Sequence, residues 1–217
     1  MSRTEDILNE LSIFIIPHPE LNYRNNYELL IATLLSSQTT DKHVNLITPS
    51  LFSKYPSTKE LMKANILDVI NIIKPLGLSN IKGKNIILLS KTIEEKYNGV
   101  IPNTLEDLES LPGVGRKTAQ VVLALGFNIP SLPVDTHVFR VSKRLGIVGL
   151  NDNILDVELK LKNDINKDRW IEAHHLLLLF GRYYCKAKMP LCEDCKMKKY
   201  CKSIWKRYSF LCWFCKK

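Results

Sequence analysis

No apolar run in this 217-residue chain approaches the roughly 20 residues that span a bilayer, which excludes a helical membrane protein. The first twenty residues place Glu5, Asp6 and Glu10 ahead of a short apolar stretch at 13–16. That is not the basic, apolar, small-residue order of a secretory leader, so the cytosol is the expected compartment (the nucleoid, in a bacterium). No segment alternates apolar and polar residues between hairpin turns, which excludes a β-meander. Internal repeats and low-complexity linkers are also lacking, so the chain is no solenoid and no string of modules. Negative charge is scarce at one end: residues 182–217 contain only Glu193 and Asp194 against 11 Lys and Arg.

What is present fits a globular protein of one large or two small domains, with 45% hydrophobic and 24% charged residues. The net charge of +9 is unevenly placed. Residues 1–181 balance 20 basic against 20 acidic side chains, so the whole excess (11 − 2 = 9) lies in the last 36 positions. A basic patch of this kind suits a polyanion such as nucleic acid, although a solvated, solubilising tail accounts for the charge equally well.

Helical periodicity runs through the chain. Apolar residues at 29, 30, 31, 34 and 35 make an amphipathic helix over 27–37. Asp41 is placed to cap a helix through Phe52, with Pro49 expected to interrupt or kink it. Ser57-Thr-Lys-Glu60 has the capping-box spacing, and a helix over 65–74 stops at Pro75 and Gly77. A longer helix over 79–97 closes at Asn98-Gly99. Beyond the centre of the chain, Asp135 can cap a helix to Arg144 with Gly146 as its stop, and helices over 152–165 and 168–184 follow. The fold class is all-α.

Four cysteines, Cys185, Cys192, Cys195 and Cys201, are spaced C-x6-C-x2-C-x5-C. Their density in a chain without a secretory leader argues for metal rather than disulfides. The spacing alone admits either zinc or an iron–sulfur cluster. Cys212 and Cys215 form a further C-x2-C near Trp205, Tyr208, Phe210, Trp213 and Phe214. That pair is half a metal site, a disulfide, or two reduced thiols, and the residues leave the choice open.

The centre of the chain is Leu111-Pro-Gly-Val-Gly-Arg-Lys-Thr-Ala-Gln120, followed by Pro133-Val-Asp-Thr-His-Val-Phe-Arg140. A helix over 104–110 ends at Leu111, and a second opens near Gly115. Pro112 resists continuing the first helix, and Gly113 and Gly115 permit left-handed dihedrals. The unpaired N–H groups and positive dipole end of the second helix make the turn a phosphate site. Lys117 falls in that helix's first turn, where a cation opposes the dipole, a setting suited to an amine nucleophile. Taken alone, Lys117 also reads as an ordinary surface lysine.

These two segments resemble the helix-hairpin-helix and Gly/Pro–Asp region of the endonuclease III family of DNA glycosylases. The resemblance implies a six-helix barrel over residues 20–130, with the hairpin at about 104–126. A second helical lobe is implied from 1–19 with 131–217. It implies a bifunctional N-glycosylase and abasic-site lyase for oxidised pyrimidines in double-stranded DNA; no residue pattern points to an oligomer or a membrane, so a monomer is the default expectation. Lys117 would attack C1′ and form a Schiff base, and Asp135 would take its proton or stabilise the cationic sugar. Leu34-Leu-Ser-Ser-Gln38 and Gly77-Leu78-Ser-Asn match the family's gap-filling and wedge segments, which gives Gln38 and Leu78 those roles and Gly113 and Gly115 the phosphate contact. The same resemblance assigns Cys185, Cys192, Cys195 and Cys201 to a [4Fe-4S] cluster that fixes a loop carrying Lys186, Lys188, Lys196, Lys198 and Lys199. A lysine at 117 favours lyase chemistry over a monofunctional relative.

Overall fold

The computed structural model describes residues 2–203, which are helical with no β-strand among them. The Cys212/Cys215 pair and the aromatic tail around it lie outside the described residues. Contacts divide the chain into two compact units, Pro19–Ile129 and the segments on either side of it.

In Pro19–Ile129, six helices surround one core: α2 (Asn26–Leu35), α3 (Asp41–Lys54), α5 (Ile66–Ile73), α6 (Ser79–Tyr97), α7 (Leu105–Glu109) and α8 (Arg116–Phe127). The single turn α4 (Thr58–Leu61) packs against α6. Helix α2 is apolar on nearly every side, and such a helix has to be central. Residues 27–35 are all buried, and α2 packs against α3, α6 and α8. Its one buried carboxylate, Glu28, receives the Arg24 backbone N–H and side-chain Nε, each at 2.8 Å. Leu29, Leu30, Leu35, Leu51, Ile73, Ile86 and Leu108 fill the interior.

Two local expectations change. Thr40, not Asp41, caps α3, its hydroxyl accepting from His43 N at 3.2 Å. Pro49 sits inside an unbroken α3, since the packing of Val44, Leu51 and Phe52 outweighs one missing N–H. At the other end of the unit, Asn98 and Gly99 both take positive φ and stop α6 as expected.

The second unit holds α1 (Arg3–Ser12), α9 (Thr136–Arg144), α10 (Ile154–Asp164) and α11 (Trp170–Leu179). A 3-10 turn, Lys167–Arg169, precedes α11, and a π-helical turn, Phe180–Tyr184, follows it. Ile7, Leu8, Leu11, Val138, Val141, Leu176, Leu177 and Phe180 form its own core. A capping box opens α10 from Asn153 and Asp156. Gly181 allows the close approach to α9, because a Cβ there would lie 2.9 Å from His137 Cβ. The π turn then ends with Cys185 N donating to Phe180 O at 2.7 Å, which delivers the first cysteine of the loop.

Candidate functional site

Gln38, Leu78, Gly113, Gly115 and Lys117 belong to the unit Pro19–Ile129, and Asp135 with the four cysteines to the other.

In the first unit, α7 ends at Glu109 and a short turn leads to α8. Gly113 takes φ +77°, the left-handed region that Gly occupies at no cost, whereas Gly115 is extended at φ −95° and serves as the N-cap of α8. Only one of the two glycines therefore uses the freedom expected of both. A Cβ added at Gly115 would meet nothing within 4 Å, so the backbone there is open to an incoming group. Lys117 is exposed on the first turn of α8, at a helix start where Gly115 supplies no side-chain cap bond to the backbone N–H groups. Ala119, Val122 and Leu123 bury the opposite face and hold the helix in place.

Gln38 and Leu78 share a feature that periodicity does not show. Both are exposed, and both hold non-glycine backbones at positive φ, 59° and 51°. That conformation costs an L-residue about 1–2 kcal/mol. Strain of this kind collects at ligand-binding and catalytic positions. Each side chain stands at the tip of a loop: Gln38 three residues past the end of α2, Leu78 as the N-cap of α6.

Between these loops lies Lys82, which sequence reading passed over. Its side chain is buried, 3% exposed, and Nζ donates to Leu35 O at 2.9 Å and Leu76 O at 3.0 Å. Burial lowers the Lys82 pKa below the usual lysine value. The helical face of α6 could have revealed it, since Lys82, Ile86, Leu89 and Ile93 recur at helix spacing and are all buried.

In the second unit, Asp135 caps α9. Its Oδ1 accepts from His137 N and Val138 N, both at 2.8 Å, which leaves Oδ2 outside the cap. The carboxylate is half-buried and its orientation is fixed by two backbone donors. His137 Nδ1 pairs with Arg140 at 3.3 Å, and His174 and His175 are buried with their Nδ1 atoms on the Pro133 and Ile171 carbonyls.

All four cysteines line one cavity, walled also by Leu145, Phe180 and Leu191. The end of α9 clamps its rim. Arg144 Nη1 donates to Lys186 O at 2.7 Å and lies 3.5 Å from Cys185 Sγ, and Arg140 Nη2 donates to Gly181 O at 2.7 Å. Lys202 N closes the far side of the loop onto Arg144 O at 2.8 Å. Burial, then the neighbouring Cys185 and Cys201, pushes the Cys192 thiol up. Burial does the same to Cys195. Among the described residues no three His, Cys, Asp or Glu side chains converge as ligands of a single metal ion.

The loop lysines Lys186, Lys188, Lys196, Lys198 and Lys199 are all exposed, with different neighbours. Lys199 pairs with Glu10 at 2.6 Å, Lys198 donates to Glu193 O, and Lys196 lies 5.0 Å from the Phe14 ring centre.

A model of the HhH-GPD superfamily base excision DNA repair proteins matches residues 31–167. Endonuclease III of Bacillus subtilis is 44% identical over 195 residues, 89% of each chain. Endonuclease III of Escherichia coli K12 is 41% identical over 187 residues, 85% of this chain and 88% of that one. Among solved structures, a non-covalent endonuclease III–DNA complex and a trapped endonuclease III–DNA covalent intermediate each superpose with TM-score 0.90. Both are 42% identical and cover 95% of this chain and 99% of theirs. A thermostable thymine-DNA glycosylase superposes with TM-score 0.76 at 27% identity, over 92% of this chain and 93% of its own.

Proposed function

Because the chain belongs to the endonuclease III family within the HhH-GPD superfamily of base excision DNA repair proteins, we propose that it is a bifunctional DNA glycosylase and abasic-site lyase with Lys117 as its nucleophile. The observation that carries the reading is an exposed lysine amine in the first turn of α8, next to the Gly113 turn, in a chain 42% identical to one trapped covalently on DNA.

The chemistry follows from the groups present. The Lys117 amine attacks C1′ of the damaged nucleotide, the glycosidic bond breaks, and the base leaves with its electron pair. Loss of the amine proton and ring opening give an imine between Nζ and C1′. Removal of a C2′ proton then expels the 3′ phosphate by β-elimination. Asp135 serves as the carboxylate of this sequence: Oδ1 is held by the α9 cap, and Oδ2 takes a proton or faces the cationic sugar. Gly113 and Gly115 bring backbone N–H groups to a DNA phosphate. Gln38 and Leu78 fill the stack after the nucleotide flips out. Oxidised pyrimidines are the base class that accompanies this family. A thymine glycosylase of the same fold makes mismatched bases the second reading, since base choice is set by pocket shape.

Cys185, Cys192, Cys195 and Cys201 would hold a [4Fe-4S] cluster. Four thiols around one mainly apolar cavity, with an arginine at its rim, are the right donor set. Such a donor set suits the cluster that the family resemblance implies. The cluster's contribution there is to brace the loop of residues 185–201 against α9.

Borohydride trapping on a duplex carrying one thymine glycol tests the assignment, with an abasic duplex beside it. A covalent protein–DNA band that disappears in Lys117→Ala is the expected result. A band on the abasic duplex alone keeps the lyase and reopens the base. No band on either, with DNA binding intact, overturns it.

A further inference from the structure

Lys82 is a buried cation whose two partners, the Leu35 and Leu76 carbonyls, lie on different elements. Burying an ammonium costs free energy, and a methionine would fill the same space without that cost. Something in the position therefore demands donors.

The two acceptors show what. Leu35 is the last residue of α2, and Leu76 the last of the 3-10 turn Lys74–Leu76. The final carbonyls of a helix have no partner further along it and carry the negative end of its dipole. One ammonium meets both ends. Gln38 lies three residues beyond Leu35 and Leu78 two beyond Leu76, each at positive φ. Gly77, at φ +69°, makes the second loop a pair of consecutive residues at positive φ. Such backbones persist only where surrounding structure holds them. The Lys82 bonds link the two chain segments immediately before those tips directly.

We propose that Lys82 is a positioning residue for base extrusion. Its Nζ fixes the spacing of the Gln38 and Leu78 loops, so that both side chains enter the gap in the duplex together. This rests on the reading of Gln38 and Leu78 as the inserting residues. A misplacement of about 1 Å at such a site can cost on the order of a hundredfold in rate. A gap-filling pair set by one shared contact is sensitive to its loss.

The test compares Lys82→Met, Gln38→Ala, Leu78→Ala and the double variant Lys82→Met/Gln38→Ala. The probe is a duplex with 2-aminopurine opposite a single abasic site, whose fluorescence reports insertion into the stack. Single-turnover incision of the same duplex is measured in parallel, with the melting temperature and affinity for undamaged duplex as controls. Lys82→Met is expected to keep its fold and its grip on undamaged DNA. It should lose most of the fluorescence change and slow incision at least about tenfold. Its effect should not add to that of Gln38→Ala, because both remove one event. A Lys82→Met enzyme with the wild-type fluorescence change, or losses that add, overturns the proposal while leaving the wedge reading intact if Gln38→Ala and Leu78→Ala are defective. If those two variants insert normally, the wedge reading fails and the proposal with it. Should Lys82→Met not fold, Lys82→Gln, which keeps a donor for one carbonyl, is put through the same comparisons.

Discussion

The Asn85 side chain covers the face of Gly113 from which a side chain would project: a Cβ there would lie 2.6 Å from Asn85 Nδ2 and 2.9 Å from Cγ. Helix α6 thus carries three things in succession, the Leu78 tip at its start, Lys82 one turn on, and Asn85 against the hairpin turn. Gly113→Ala meets both this contact and φ +77°, the latter costing about 1–2 kcal/mol. A lower melting temperature and weaker duplex binding are expected. Adding Asn85→Ala should recover part of the loss, because it removes the two closest contacts but not the strained dihedral. Full recovery would show that sterics alone require the glycine.

Asp135 joins a helix cap to a carboxylate, and two substitutions separate them. Asparagine keeps an oxygen for His137 N and Val138 N but carries no charge. Asp135→Asn should melt close to the wild type and lose about a hundredfold or more in base release. Asp135→Ala should show the same loss of activity and, in addition, about 1 kcal/mol of stability. Equal activity in Asp135→Asn and the wild type would reduce the residue to a cap.

The helices of this protein were legible because their signals are local. Asn98-Gly99, Asp135 and the Gly113 turn act within a few residues of themselves, and each performs the stop, cap or turn that its type suggests. Lys82 was not legible, because its meaning comes from Leu35, 47 positions away. The Asn85 contact with Gly113 is of the same kind. Sequence likewise does not show that Phe14, Glu193 and Glu10 stand beside lysines 196, 198 and 199. Pro49 did not interrupt its helix. A local breaker lost to the burial of Val44, Leu51 and Phe52 around it.

His175 gives the protein an acid limb. Its ring is buried, and burial lowers its pKa below 6.5, with His18 acting in the same direction and the Ile171 carbonyl against it. In the unfolded chain the ring titrates at its ordinary value. Between the two pKa values the unfolded state binds the extra proton, so stability falls as pH drops below about 6.5 and this contribution levels off beneath the folded value. His175→Phe removes that proton whatever its effect on absolute stability. The melting temperature of the variant should therefore fall less steeply than the wild type's between pH 7 and pH 5. Parallel curves would assign the acid limb to other groups.

The cysteine loop can be separated from the hairpin of α7 and α8 by experiment, because each unit has its own core. The loop is tied to its surroundings by the Cys185 N bond to Phe180 O, the Arg144 bonds and the Lys202 bond to Arg144 O, with Met197 buried beneath it. Four ligands spaced along one loop would tie that loop together when bound, so metal binding and loop order are linked. Purified protein is expected to contain about four irons per chain, rather than one zinc. Cys192→Ser should lower that number and open the loop to trypsin, which cuts after the lysines between 186 and 202. The core of Pro19–Ile129, with Leu30, Leu51 and Ile86 packed inside it, should resist the same digestion. A full complement of iron in Cys192→Ser would remove that cysteine from the ligand set, and one zinc per wild-type chain would replace the cluster with a single tetrahedral ion.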